Sequence, residues 1–359
     1  MQNSPAARFG YIFGLDGLRL FAVLIVIFRH FHVSDSVPGG FGVSVFFFIS
    51  GFLISRLLLA EEYRFSRPIA IRSFYIRRFI RLLPPLLLMG AVSVPVLYLL
   101  EPESFSVLQI VLSFTYFGNI LGIGQLLWGW PVGYEALGPL WSLAVEEHFY
   151  LLLPAALLVF RSFRSRVGLV VVAIAAPLVL RIVVFALFDP FLADRINYNF
   201  TFTRIDAIAW GVLLTLLLDS RKLRPPTTAL AGHFCVIGGS VFMLASMVHW
   251  TEAYEVVWKY TFQSVAIGIF IFGTIFAPNY GWLRGVLEFR PVKHLGRISY
   301  ELYLWHLPVY VLAVALIPVP FWAVTASFVG TALISDIAYR LTTKRLSIVR
   351  RRFGGHPTD

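Results

Sequence analysis

Long apolar stretches, separated by short polar and basic segments, run along almost the whole chain. A helix that crosses a bilayer needs about 20 mostly apolar residues, and ten stretches meet that requirement. They predict membrane-spanning helices near residues 15–33, 40–60, 82–100, 139–160, 167–188, 203–218, 229–248, 256–276, 298–316 and 319–340. An eleventh stretch, 106–122, is apolar but weaker, because it contains Gln109 and Asn119.

The composition excludes most soluble classes of protein. Hydrophobic residues make up 58% of the 359 residues and charged residues 14%, with a mean hydropathy of +0.78, whereas soluble domains have about 45–50% apolar and about 25% charged residues. The single cysteine, Cys235, cannot form a disulfide within the chain. The net charge of +11 is typical of basic cytoplasmic loops and does not require a nucleic-acid partner. The composition therefore predicts an all-α polytopic membrane protein.

The positions of the basic residues predict the orientation. If the N-terminus is cytoplasmic and 106–122 does not cross, most of the 30 lysines and arginines, including Arg8 and Arg67, fall in cytoplasmic segments, as the positive-inside rule requires. A full crossing by 106–122 would move most of them outside. We therefore expect this segment to be re-entrant or interfacial on the outer side, with both termini cytoplasmic. Residues 1–345 then form one membrane domain and 346–359 a short basic cytoplasmic tail.

Several ionisable residues fall inside predicted spans, where such groups are costly and often functional. Arg19 and His30 are eleven residues apart on the first predicted helix, so they share one face about 16 Å apart along its axis. Glu146 and Glu147 lie about 10–12 Å below the outer end of the fourth predicted helix, at a depth similar to that of His30. A carboxylate beside an imidazole can orient it as a general base. His30, Glu146 and Glu147 are the catalytic candidates, although His30 could also be a packing residue.

Two arginines precede the third predicted helix. Arg78 and Arg81 are three residues apart in FYIRRFIRLLPP, so they lie on one helix face at the predicted cytoplasmic surface. Two guanidinium groups at this spacing can hold a phosphate. With Arg19 they are the candidate donor-binding residues. Topogenic charge and contact with anionic lipids are the alternative explanations.

Other polar residues form a second set of candidates. Tyr303 and His306 lie on one stripe of the ninth predicted helix, and a structural or a functional role is open for both. Arg204 and Asp206, near the outer end of the sixth predicted helix, could pair with each other or line an outer pocket. Trp141 and Ser142 accompany the carboxylates in WSLAVEEHFY. All six are candidate acceptor-binding or supporting residues. No spacing of histidines, carboxylates or thiols indicates a metal site.

Six motifs, taken in order, resemble the acyltransferase-3 family of integral-membrane acyltransferases. They are LDGLRLFAVLIVIFRHFH, which contains Arg19 and His30, then GVSVFFFISGFLIS, RRFIRLLPP, WSLAVEEHFYLLLP, RIDAIAWG and SYELYLWHLPV. RRFIRLLPP carries the R-x-x-R pair of the family. The chain departs from the usual pattern at His148, where the family commonly has glutamine, and at Arg29, where an aromatic or apolar residue is commoner.

The resemblance implies an enzyme that transfers an acyl group, usually acetyl, from cytoplasmic acyl-CoA to a hydroxyl of an extracytoplasmic glycan or lipid-linked sugar. Acyl-CoA (acetyl-CoA) is then a co-substrate, and no tightly bound cofactor, metal or nucleic acid is expected. The expected location is the bacterial inner membrane, among its lipids. Two alternatives stay open: a transporter or flippase that uses the intramembrane arginines, histidines and glutamates, and an acyltransferase for a small molecule such as a macrolide. Direct transfer and an acyl-enzyme also stay open.

The orientation can be tested with single cysteines in a background without Cys235. We expect a cysteine near residue 163 to be protected from an impermeant thiol reagent in intact cells, because the segment is cytoplasmic. A cysteine at an exposed position near residue 193 should be labelled. Labelling near 163 would contradict the ten-span arrangement.

Overall fold

The structure is a computed structural model that describes residues 11–34, 36–65, 69–131 and 133–353. Within these ranges all regular secondary structure is helical. The helices are α1 (Leu15–His30), α2 (Gly39–Phe65), α3 (Ile71–Leu100), α4 (Val107–Phe114), α5 (Gly118–Trp128), α6 (Leu140–Val159), α7 (Phe163–Leu187), α8 (Pro190–Asn199), α9 (Thr201–Asp219), α10 (Ala229–Ala245), α11 (Tyr254–Phe276), α12 (Gly281–Leu287), α13 (Arg290–Arg297), α14 (Ser299–Leu316) and α15 (Pro320–Arg351).

The all-helical membrane architecture is confirmed for the described residues. Seven helices are long and apolar enough to cross a membrane, and an eighth span forms if α13 and α14, which meet at a bend of 75°, are counted together. Helices α1 and α10 also cover predicted spans, but α1 has only 16 residues and α10 is of similar length. The count of ten spans and the cytoplasmic location of the termini stay predictions. Residues 1–10, which include Arg8, and residues 354–359 lie outside the described ranges, as does Arg67.

The weak apolar segment 106–122 is divided between two short helices. α4 has 8 residues and α5 has 11, so neither reaches the length needed to cross a bilayer. The break falls at Tyr116, whose φ of 62° lies in the left-handed region. A right-handed helix cannot continue through such a residue. Asn119 at the start of α5 donates a hydrogen bond to Thr201 at the start of α9, over 2.8 Å. The segment therefore packs against the start of α9.

Helices α2 and α9 approach each other closely at two glycines in the core of the bundle. A Cβ atom on Gly51 would lie 1.9 Å from the Ile208 carbonyl oxygen, and one on Gly211 would lie 2.1 Å from the Phe48 carbonyl oxygen. Only glycine permits such contact between two helix backbones. The crossing fixes the positions of the polar residues that α2 and α9 carry.

A polar cluster at the start of α1 holds that helix in place. The Glu288 carboxylate accepts hydrogen bonds from Tyr11 Oη and from the Gly14 N–H, each over 2.7 Å, and it pairs with Lys293. Burial raises the pKa of the Glu288 carboxyl, but these hydrogen bonds outweigh burial and lower it. Since the cluster fixes the beginning of α1, it also fixes the level of Arg19, one turn further along.

The last helix continues past the predicted end of the membrane domain. α15 contains one wider turn at Arg340–Lys344 and then runs to Arg351, so the boundary predicted at residue 345 falls inside a helix. Its final turn packs against α3, where Arg77 donates to the Phe353 carbonyl oxygen. The first part of the predicted tail is therefore part of the bundle.

The contact between α2 and α9 predicts the effect of a single methyl group. Gly51→Ala should destabilise the protein by at least about 1–3 kcal/mol, because the new Cβ meets a backbone oxygen that cannot move aside. Gly168→Ala on α7 is the matched control, since nothing lies within 4 Å of a Cβ there. Thermal unfolding of the purified proteins in one detergent measures both. Equal melting temperatures would contradict the close crossing.

Candidate active site

Two histidines from different helices meet at the end of α1. His30 is the last residue of α1, and His306 lies within α14. His30 Nδ1 is 2.8 Å from His306 Nε2, and the two rings stack with centroids 5.0 Å apart. The His306 side chain is buried, whereas His30 is half-buried. His30 is therefore the member of the pair that a substrate can reach.

The hydrogen bonds indicate which nitrogen carries each proton. His306 Nδ1 lies 2.6 Å from the Tyr303 carbonyl oxygen, and because a carbonyl oxygen only accepts, this nitrogen carries a proton. Neutral His306 then accepts at Nε2, and His30 donates from Nδ1. His30 Nε2 is left with its lone pair, which is the state that a general base needs.

Tyr303 connects the histidine pair to the start of α6. Its hydroxyl donates to the Pro139 carbonyl oxygen over 2.8 Å and lies 2.7 Å from Ser142 Oγ. The centroids of the Tyr303 and His306 rings are 5.5 Å apart. Trp141, beside Ser142 on α6, is also buried. The structure therefore brings these candidate residues together along one wall that ends at the histidines.

The two carboxylates of α6 do not hydrogen-bond to His30, so the predicted carboxylate–histidine contact is wrong. Glu146 Oε1 instead accepts from Ser50 Oγ over 2.8 Å and lies within electrostatic range of Arg19. The prediction assumed that α6 starts at the membrane surface. Ser142 is already level with the Tyr303 hydroxyl, so Glu146, one turn further along α6, lies away from His30 and towards Arg19.

Glu147 is paired with Arg78. Its carboxylate accepts from Arg78 Nε over 2.9 and 3.0 Å and from Nη2 over 2.5 Å, and the Arg78 guanidinium lies 3.4 Å from the centre of the Tyr150 ring. Arg78 is thus inside the bundle, because α3 begins at residue 71 and not at the predicted 82. Arg78 and Arg81 therefore do not form the predicted phosphate site together, because the Arg78 guanidinium is already paired with Glu147.

Arg19 and Arg81 form a separate basic site. Arg19 is half-buried and Arg81 is exposed, and the two lie within electrostatic range of each other. Among the described residues, neither takes part in a hydrogen bond or ion pair. The buried acid near both is Glu301, whose carboxylate accepts from Thr343 over 2.6 Å. Two unpaired cations this close repel each other, so the site favours an anion.

Arg204 and Asp206 do not pair with each other. Asp206 Oδ2 accepts from Arg181 Nη2 over 2.8 Å, and both side chains are 0% exposed. Arg204 is equally buried, and its hydrogen bond to a described residue is a long one, 3.3 Å to Ser44 Oγ. The sequence analysis singled out Asp206, but it did not indicate that Arg181 on α7 is its partner.

Comparison with known protein families identifies the family of the chain. A family model described as an acyltransferase domain matches residues 12–340. The chain belongs to the acyltransferase-3 family. The matched region includes every candidate site residue named in the sequence analysis. Among the described residues, no three side chains of His, Cys, Asp or Glu are grouped to hold a metal ion.

Several curated proteins are similar to this acyltransferase-3 chain. The peptidoglycan O-acetyltransferase OatA of Listeria monocytogenes is 29% identical over 92% of the chain and 55% of its own length. YrhL of Bacillus subtilis is 32% identical over 93% and 54%, and the O-acetyltransferase OatA of Staphylococcus aureus is 28% identical over 92% and 56%. The chain therefore spans just over half the length of these relatives. No solved structure matches it.

The two arginines of the R-x-x-R motif should respond differently to substitution. Arg78→Ala should destabilise the protein by on the order of 3 kcal/mol, because it leaves the Glu147 carboxylate without its partner. The double variant Arg78→Ala/Glu147→Gln should recover part of this loss. Arg81→Ala, the matched control, should melt like the wild type. Equal melting of the Arg78→Ala and Arg81→Ala proteins would contradict the assignment.

Proposed function

We propose that the chain is an O-acetyltransferase of the bacterial inner membrane, which moves an acetyl group from cytoplasmic acyl-CoA to a hydroxyl of the glycan of peptidoglycan. Family membership supports acyl transfer, and the names of the OatA relatives support O-acetylation and a cell-wall acceptor. The observation that carries the mechanism is the bond between His30 and His306. It leaves His30 Nε2 able to take a proton.

His30 acts as the general base in this proposal. The acceptor hydroxyl attacks the thioester carbonyl while His30 Nε2 takes the hydroxyl proton, so the new C–O bond forms as the O–H bond breaks. The C–S bond then breaks, and the CoA thiolate leaves and receives that proton. General-base catalysis typically contributes about 10²–10⁴-fold to a rate. His306 is a positioning residue, because it holds the proton of His30 on Nδ1.

The donor enters at the opposite end of α1. Arg19 and Arg81 bind phosphates of CoA, because both guanidinium groups are unpaired within the described chain and close to each other. Arg19 and His30 are separated by about 16 Å along the helix, so the narrow pantetheine arm must extend between them. Its path follows the side of α1 that faces Ser50 and Glu146. Glu147 has a supporting role here, since it keeps Arg78 in place.

This proposal requires the ten-span topology. The cytoplasmic N-terminus places Arg19 on the donor side and His30 towards the outer side of the membrane. Helices α1 and α10, which are slightly short, then also cross, and segment 106–122 stays on the outer side. A short α1 brings His30 to a level that an acceptor can reach from outside, because the helix ends before the outer surface.

His30→Ala should abolish transfer of label from acetyl-CoA to glycan in purified protein, because no base remains. His306→Ala should lower kcat by about ten-fold or more and change the pH profile of kcat, since His30 loses the group that fixes its tautomer. Both variants should bind acetyl-CoA like the wild type, because the phosphate site is distant.

His32→Ala is the matched control, because His32 is an exposed histidine two residues after His30. Its transfer rate should equal that of the wild type. A His30→Ala protein with near wild-type transfer would refute the mechanism. Label on a small hydroxyl compound but not on glycan would favour the small-molecule alternative, and movement of substrate without transfer of label would favour a transporter.

A further inference from the structure

One buried arginine is almost without hydrogen bonds. Arg204, in the first turn of α9, is 0% exposed. Among the described residues, neither Nε nor Nη1 has a hydrogen-bond partner, and Nη2 makes only the 3.3 Å bond to Ser44. A buried cation with unused donors is costly, and native structures rarely contain one without a reason.

Four aromatic rings surround this guanidinium. It lies 3.9 Å from the centre of the Tyr260 ring and 5.3 Å from that of Tyr198, with Phe47 and Trp141 at 5.7 and 5.8 Å. Aromatic faces stabilise a cation, but they accept no conventional hydrogen bond from its N–H groups. The rings therefore keep the charge inside the protein while the donors stay available.

Arg181 shows what a structural arginine looks like in the same region. It is also 0% exposed, but all three of its nitrogens are bonded: Nε to the Val257 carbonyl oxygen, Nη1 to that of Thr203, and Nη2 to Asp206 and Thr261. This bundle can therefore supply a hydrogen-bond partner for every nitrogen of a buried guanidinium group. Arg204 is buried to the same extent as Arg181 and differs from it in its hydrogen bonding.

The cage of Arg204 lies next to the wall that leads to the histidine pair. The Tyr198 and Trp141 rings pack with centroids 4.7 Å apart, and the residue after Trp141, Ser142, bonds to Tyr303. Tyr198 is half-buried, so it is the side of the cage that a ligand can approach. Aromatic and hydroxyl groups arranged in this way suit the face of a sugar.

We propose that Arg204 binds a carboxylate of the acceptor, which orients the sugar so that its hydroxyl faces His30. This inference rests on the proposed glycan acylation and adds that the acceptor is an acidic sugar. Asp194 is an acid within electrostatic range of Arg204, but among the described residues it forms no ion pair with it. A carboxylate would supply both the charge and the acceptor atoms that the free donors lack.

The test compares two acceptors that differ only in charge: a muramic-acid disaccharide with a free lactyl carboxylate, and its methyl ester. Wild-type protein should acetylate the acid with a KM about ten-fold or more below that for the ester. Arg204→Gln should raise the KM for the acid to that for the ester, so that the preference for the acid is lost. Arg195→Gln, which changes an exposed arginine of α8, should keep the wild-type preference.

Binding without acetyl-CoA, measured as the rise in melting temperature with each disaccharide, gives the same comparison independently of catalysis. Equal effects of the acid and the ester on the wild type, or a preference retained in Arg204→Gln, would overturn the inference. If neither disaccharide is acetylated but the acid alone stabilises the wild type, the carboxylate site stands and the proposed function fails. If the glutamine variant does not fold, Arg204→Lys replaces it: the charge remains but the planar guanidinium is lost, so the preference for the acid should be weaker than in the wild type. An undiminished preference would count against the inference.

Discussion

A charged or strongly polar side chain inside an apolar helical bundle is stable only when another helix supplies its partner. This requirement organises the interior of the molecule. Pairs between different helices include Arg181 with Asp206, Arg78 with Glu147 and His30 with His306. The close crossing of α2 and α9 at their glycines holds the bundle in the geometry in which such pairs can form.

The exceptions to this requirement are the places where we propose that ligands bind. In the part of the chain that the structure describes, Arg19 and Arg81 lie near each other without hydrogen-bonded partners, and two nitrogens of Arg204 have no partner. These arginines lie at separate positions along the bundle, with the histidine pair at the far end of α1 from Arg19. The arrangement suits a donor and an acceptor that approach from different directions and meet at His30.

The membrane class and most of the helical segments could be predicted from the sequence, because apolar length is a strong signal, and intramembrane charge indicated the polar residues of the candidate site. Which residues touch could not. Glu146 and His30 were placed level by counting turns from assumed helix ends, but in the structure Glu146 bonds to Ser50 and His30 bonds to His306. Likewise α3 starts eleven residues before the predicted position, which moves Arg78 from the surface to Glu147.

Other contacts have no signal in a single sequence. Tyr198 and Tyr260 are two of many aromatic residues in a chain that is 16% aromatic, and only the fold shows that they surround Arg204. Ser50 and Arg181 are similar cases, since a serine or a single arginine within an apolar span is compatible with many environments. The bond between His30 and His306 joins residues 276 positions apart, so it depends on the packing of the whole bundle.

The central claim is that donor and acceptor bind at opposite ends of α1. It is tested most directly with purified protein in sealed vesicles of one orientation, with labelled acetyl-CoA added only on the side of Arg19 and Arg81 and glycan enclosed on the side of His30. The account predicts that label appears on the enclosed glycan. Transfer that occurs only when acetyl-CoA and glycan are on the same side of the membrane would contradict it.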